Sequence, residues 1–154
     1  MAFTKAEIPV YARTLNNGVG LLNAATAGAF GATTNAVTVY TAGAFGGRVE
    51  SLVANSDDTA AVNLNIMLVD GSSNVYPLGS ANVPIQSGSQ GTINNTDLLA
   101  NGGTTLRGML VDPTGKRYIS VPAGWTLRVS TIANMTAAKK CYVTAQGFDY
   151  TDLA

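Results

Sequence analysis

The chain has 154 residues, 46% of them hydrophobic and 12% charged, and nine lysines and arginines balance nine acids to a formal net charge of zero. That length suits one domain with a sizeable core, and so neutral a chain lacks the basic footprint of a nucleic-acid binder or of a protein that rides an anionic membrane surface. There is no histidine, which removes Ser-His and Cys-His pairs and the usual zinc sites.

Residues 1–35 are set apart by composition. Phe3, Ile8, Tyr11 and Phe30 are scattered among Gly, Ala, Thr and Asn. A short strand is expected over Ile8–Arg13, followed by a turn through Asn16-Asn-Gly18, a pair that favours hairpin turns. The segment reads as an extended N-terminal arm that packs on its own body or on a neighbour. Its removal to residue 30 is expected to leave the remaining fold intact. Thr26-Ala-Gly-Ala-Phe-Gly-Ala32 returns as Thr41-Ala-Gly-Ala-Phe-Gly-Gly47. Both copies read as Gly-rich connections with a Phe pinned to the body, since neither has the Gly-Lys-Ser/Thr of a phosphate-binding loop.

Residues 36–154 have β texture throughout. Strands are expected at 37–40, 48–54 and 61–70. In the last of these Val62, Leu64, Ile66 and Leu68 share the core face, and the opposite side, with Asn63, Asn65, Met67 and Val69, is partly free for a partner subunit. Val75-Tyr-Pro-Leu78 reads as an edge strand because of its proline, and Val83–Gln86 as a further short piece. Asn95 or Thr96 could cap one short helix over Asp97–Ala100. Strands return at Met109–Val111 and over Arg117–Ile132, where Pro122-Ala-Gly124 makes a tight turn between two strands and Trp125 is expected as a core anchor. The last strand is Cys141–Phe148, with Cys141 facing the core. Eight or so turn-marked strands give an all-β fold, an antiparallel β-sandwich of jelly-roll type.

Nothing in this pattern assembles chemistry, and no catalytic, cofactor-binding or metal-binding residue is assigned. The lysines fall in arms and loops, where none is desolvated enough to act as a base. Asp57, Asp70 and Asp112 sit where Asp performs turn duty. Asp70-Gly-Ser-Ser-Asn74 resembles the start of a calcium loop but lacks its later glycine and acid. Glu50, in mid-strand, is expected to pair with an Arg across the sheet. No run approaches the roughly 18 apolar residues of a membrane span, and the N-terminus has no signal-peptide core, so synthesis in a cytoplasm is expected.

Four stretches together resemble structural proteins of tailed-bacteriophage virions, in particular small capsid decoration (cement) proteins. They are the small-residue-rich N-terminus, Ala61-Val-Asn-Leu-Asn-Ile-Met-Leu-Val-Asp70, Tyr118-Ile-Ser-Val-Pro-Ala-Gly-Trp-Thr-Leu-Arg-Val-Ser130 and Cys141-Tyr-Val-Thr-Ala-Gln-Gly-Phe-Asp-Tyr150. The resemblance implies a non-enzymatic protein on the capsid surface of a virion, forming a homo-oligomer, often a trimer, and tying copies of the major capsid protein together. It brings no cofactor. Phe3, Ile8, Tyr11, Phe30 and Phe45 are the expected partner contacts, being large side chains in segments too Gly-rich to hold a core of their own. The alternative is a tail, neck or fibre module, or a carbohydrate-binding β-sandwich using Tyr76, Tyr118 or Tyr142.

Overall fold

The structure is a computed structural model that describes residues 12–100 and 106–151. Ten strands alternate between two antiparallel sheets: β1 (Ala12–Leu22), β2 (Val37–Thr41), β3 (Gly47–Ser56), β4 (Val62–Val69), β5 (Val75–Val83), β6 (Thr96–Asp97), β7 (Met109–Val111), β8 (Arg117–Val121), β9 (Thr126–Thr131) and β10 (Cys141–Thr151). One sheet has the order β1-β10-β3-β8-β7, with β6 added on β3; the other has the order β2-β9-β4-β5. Successive strands cross from sheet to sheet except at the β4–β5 hairpin and in the β6–β8 region. The strands β1, β10, β3 and β8 thus face β2, β9, β4 and β5, which is the jelly-roll arrangement.

The core lies between the sheets. Period-two alternation drives it: Leu52, Ala54, Leu64, Ile66, Leu127, Val129, Cys141, Val143 and Ala145 are all fully buried. Where β3 and β10 slip register at Gln146/Gly147, the parity of β3 changes, so that Val49 as well as Leu52 points inward. Burial, and to a lesser degree the charges of Asp57 and Asp58, push the Cys141 thiol up to about 12.

Several expectations are corrected. Asn16-Asn-Gly18 is not a turn: β1 runs through it and pairs with β10 from Ala12↔Thr151 to Leu22↔Cys141 without a slip. The glycine serves a close approach instead, since a Cβ at Gly18 would run into the Val39 carbonyl oxygen on β2. Residues 12–22 are therefore an edge strand of the sandwich, and Leu22 is in its core. The Pro122–Gly124 turn does not join a hairpin. It closes with a Trp125 N–H to Pro122 carbonyl bond of 3.1 Å and Gly124 at φ +71°, yet β8 and β9 belong to different sheets. It is a corner between the sheets. It leans on the second such corner, Gly43–Gly46, through Gly124 N–H to Gly43 O at 3.2 Å and Ala42 N–H to Trp125 O at 2.9 Å.

Trp125 is half-buried at that end rather than central, packed on the core edge and stacked on Tyr76 with ring centroids 4.6 Å apart. The outward side of β4 needs no partner subunit. The chain's own loop after β1 crosses it: Gly28 N–H donates to Thr131 O (2.9 Å), Thr131 N–H to Thr26 O (3.0 Å) and Asn65 Nδ2 to Gly28 O (3.0 Å), leaving Asn65 and Met67 each 1% exposed. No helix occurs among the described residues. Asp97 Oδ1 caps one turn by accepting from Leu99 and Ala100 N–H (2.9 and 3.1 Å), but the Leu98 N–H is spent on Leu52 O of β3 at 2.8 Å, so the segment is held to the sheet. Val83 ends β5, and Gln86 lies in a turn at φ +54°.

Candidate assembly surface

Most acidic side chains serve as architectural acceptors. Nine acids occur; Glu7 and Asp152 lie outside the described residues, and each of the other seven has a partner. Asp70 accepts from Ser72 and Asn74 N–H and from Asn74 Nδ2 at 2.8–2.9 Å. Asp112 accepts from Thr114 Oγ1 (2.6 Å), Thr114 N–H (2.9 Å) and Lys116 N–H (3.0 Å). The Thr114 hydroxyl first, then the Lys116 amide and the Arg48 guanidinium, hold its carboxyl down to about 2. These are local turns. Asp57 is not: its Oδ1 accepts from the Lys140 N–H, 83 residues away, at 2.6 Å.

Asp58 and Asp149 lock the two ends of the sandwich. Asp58 is 1% exposed and accepts from Thr136 Oγ1 (2.6 Å), Thr136 N–H (2.9 Å) and Ala60 N–H (3.0 Å). Burial would raise its pKa, but those hydrogen bonds outweigh it and hold the carboxyl below the usual range. At the other end Tyr40 Oη lies 2.6 Å from Asp149 Oδ1 and 2.9 Å from Phe148 O, while Asn16 Nδ2 donates to Asp149 Oδ2 and to Thr41 O, both at 2.8 Å. Burial, then the Asp149 carboxylate, pushes the Tyr40 phenol far above its ordinary value.

On the outer face of the larger sheet, Arg48 ties several strands together. Its Nη2 is 2.9 Å from Asp112 Oδ2 and its Nε 3.0 Å from Glu50 Oε1, and its guanidinium lies 3.7 Å from the Tyr118 ring centroid. Glu50 thus pairs with an Arg two residues back on its own strand, and with Lys116 at 3.4 Å, not with one across the sheet. Arg13 of β1 covers the Phe148 ring at 4.4 Å.

The same face carries apolar side chains with no such use. Leu15 is 84% exposed, Val19 60%, Leu21 39% and Tyr142 40%. Leu15, Val19 and Leu21 alternate along β1, opposite Phe148, Thr144 and Tyr142 of β10, and form one stripe at the sheet edge. The turn expected at Asn16-Asn-Gly18 hides this stripe in the sequence. The alternation Leu15-x-x-x-Val19-x-Leu21 was the available signal.

Of the expected contact residues, Phe30 and Phe45 are 63% and 55% exposed, so neither is pinned to the body. Phe30 tips a turn closed by Ala32 N–H to Ala29 O (3.1 Å) and Phe45 one closed by Gly46 N–H to Gly43 O (3.1 Å). The repeated sequence thus folds into turns one residue out of step. Phe30 stands beside Pro77, Ser80 and Arg107 at the β5 edge, and Phe45 stands at the corner end. The structure does not bring the two together. Phe3, Ile8 and Tyr11 lie outside the described residues.

No family model matches the chain, and no curated protein matches it. Among solved structures, a chain of the cyanophage Pam1 capsid asymmetric unit is similar at 16% identity, with 90% of this chain and 84% of that chain covered and a TM-score of 0.41.

Proposed function

We propose that the chain is a structural, non-enzymatic virion protein, a decoration (cement) protein that sits on the surface of a phage head and stabilises it. The class comes from the resemblance of the four sequence stretches above. The observation that carries the mechanism is the apolar stripe on an edge strand that bears no charge after Arg13, with Leu15 84% exposed. Side chains of this kind stabilise only when something covers them, and each fully buried Leu or Val contributes about 1.5–3 kcal/mol. Its partners in this reading are the major capsid protein and further copies of itself in a homo-oligomer, for which the resemblance implies a trimer. The jelly roll alone supports no particular function, because the architecture hosts many.

The test is co-sedimentation of the purified protein with heads that lack it, followed by a heat challenge of the heads. Saturable binding and a raised temperature of head disruption are expected. Heads that neither bind the protein nor gain stability would refute the reading. A second reading, a carbohydrate-binding or tail, neck or fibre module, draws support from Tyr76, which is 45% exposed while stacked on Trp125, an aromatic face of the kind sugars use. A glycan array that lights up, and dims with Tyr76→Ala, would favour it.

A further inference from the structure

Among the described residues five strands end the sheets: β1, β6 and β7 in one, β2 and β5 in the other. Four of them are short or interrupted, β6 having only two residues. β7 has three residues and β2 five, β2 also slips register at Thr38/Tyr40, and β5 carries Pro77 at its own slip. Such features blunt an edge against pairing. β1 has none of them. It is eleven residues long and pairs with β10 without a slip. Residues 14–22, Thr-Leu-Asn-Asn-Gly-Val-Gly-Leu-Leu, include no charge and no proline. Among the described residues no strand pairs with its other side.

The sequence of that edge is self-complementary. Asn17 is its midpoint, and Leu15 and Val19 stand two residues to either side on the outward face. We propose that β1 pairs antiparallel with β1 of a second copy about a two-fold axis at Asn17, joining the two larger sheets into one. In that register Asn17 meets its own counterpart, and Leu15 of each copy lies opposite Val19 of the other, as an apolar cross-strand pair. A second copy suits this edge because the symmetric register places Leu15 and Val19, the two most exposed apolar side chains of β1, against each other, while Leu21 falls opposite Arg13 at the ends of the contact. An isologous contact requires that property of a surface. The edge is about 37 Å long, so the contact falls at the small end of specific interfaces, below about 1,200 Å². The pairing is therefore concentration-dependent, weak in dilute solution and favoured where copies are held side by side. It deepens the assembly reading by naming a two-fold contact between oligomers, distinct from the contacts that close a trimer, yet it is measured without any capsid.

Sedimentation equilibrium of the full chain from about 1 μM to about 1 mM covers the expected range of such a contact. The wild type should shift from monomer towards larger species as concentration rises. L15K/V19K, which sets lysines opposite one another at two places, should weaken that association at least ~10-fold. L15E/V19K, which changes the same exposed positions but sets opposite charges face to face, should restore it to within about threefold of wild type. Both positions are exposed, and circular dichroism and the urea midpoint should be unchanged in each. N17C should form a disulfide-linked dimer under mild oxidation, and S120C, outward on β8, should not; the native Cys141 is buried and does not compete. A wild type that stays monomeric throughout overturns the proposal and leaves the edge to residues 1–11 or to a capsid protein. Equal association of the two charged variants, or equal cross-linking of N17C and S120C, overturns it too. Loss of head binding with self-association intact would instead sink the decoration reading and leave this pairing standing.

Discussion

Asp58 shows how a single side chain holds distant parts of this chain. Its carboxylate satisfies two donors on Thr136, 78 residues away, and one on Ala60. Asp58→Ala would orphan these donors in a site with 1% exposure, and the expected loss is roughly 3 kcal/mol, read as a lower urea midpoint with an unchanged slope. The same carboxylates set the acid limb of stability. Asp58 and Asp112 titrate lower in the folded chain than when unfolded, so the unfolded chain takes up protons first as pH falls. Their contribution is fully present above about pH 5 and is lost from about pH 4 towards 2. At alkaline pH the sign reverses. Tyr40 and Cys141 keep their protons in the folded chain after the unfolded chain has released them, so stability should fall as pH climbs through about 9 to 11. Urea midpoints measured from pH 3 to 11 should trace a plateau between two declines. At this scale the sequence was readable where partners are local: Asp70-Gly-Ser-Ser-Asn74 announces its own turn. Asp58–Thr136 and Tyr40–Asp149 were hidden because their separations, 78 and 109 residues, leave no periodic trace.

At the scale of elements, alternation located most strands, and turn chemistry misled wherever it could serve two purposes. Pro122-Ala-Gly124 is a real turn, but a turn does not say whether the strands it joins lie in one sheet or two. Asn-Gly favours a turn in isolation, whereas at residues 17–18 the glycine is kept because β1 lies against the Val39 backbone. Gly18→Ala should therefore cost about 1–3 kcal/mol as β1 is forced off β2. Val19→Ala next to it, on the exposed side, should stay within about 0.5 kcal/mol of wild type. Thermal unfolding of the pair separates a strand at this position from a turn, since a turn would tolerate Gly18→Ala at a point where φ is not positive. The cap expected at Asn95 or Thr96 falls on Asp97 instead: it closes one turn, and the Leu98 amide then bonds to β3.

For the whole molecule, the all-β sandwich was legible from strand count and spacing, and the jelly-roll order follows from pairings that only the fold discloses. The boundary between arm and body matters most for experiment. Residues 12–22 supply a full strand, and Leu22 is in the core. Deletion of residues 1–30 should unfold the protein, visible as loss of the β signal in circular dichroism, and so cannot serve as a clean test of attachment. The alternation of Leu15, Val19 and Leu21 is present in the sequence, but which face β1 turns outward and its place at the sheet edge are not. The proposed function makes this edge a contact surface of an assembled particle. The most direct measurement is a cryo-EM reconstruction of heads lacking this protein after incubation with it. Density for the sandwich is expected on the outer surface, with Leu15, Val19 and Leu21 covered by a neighbouring chain. Bare heads, or bound copies whose β1 edge faces solvent, would contradict it.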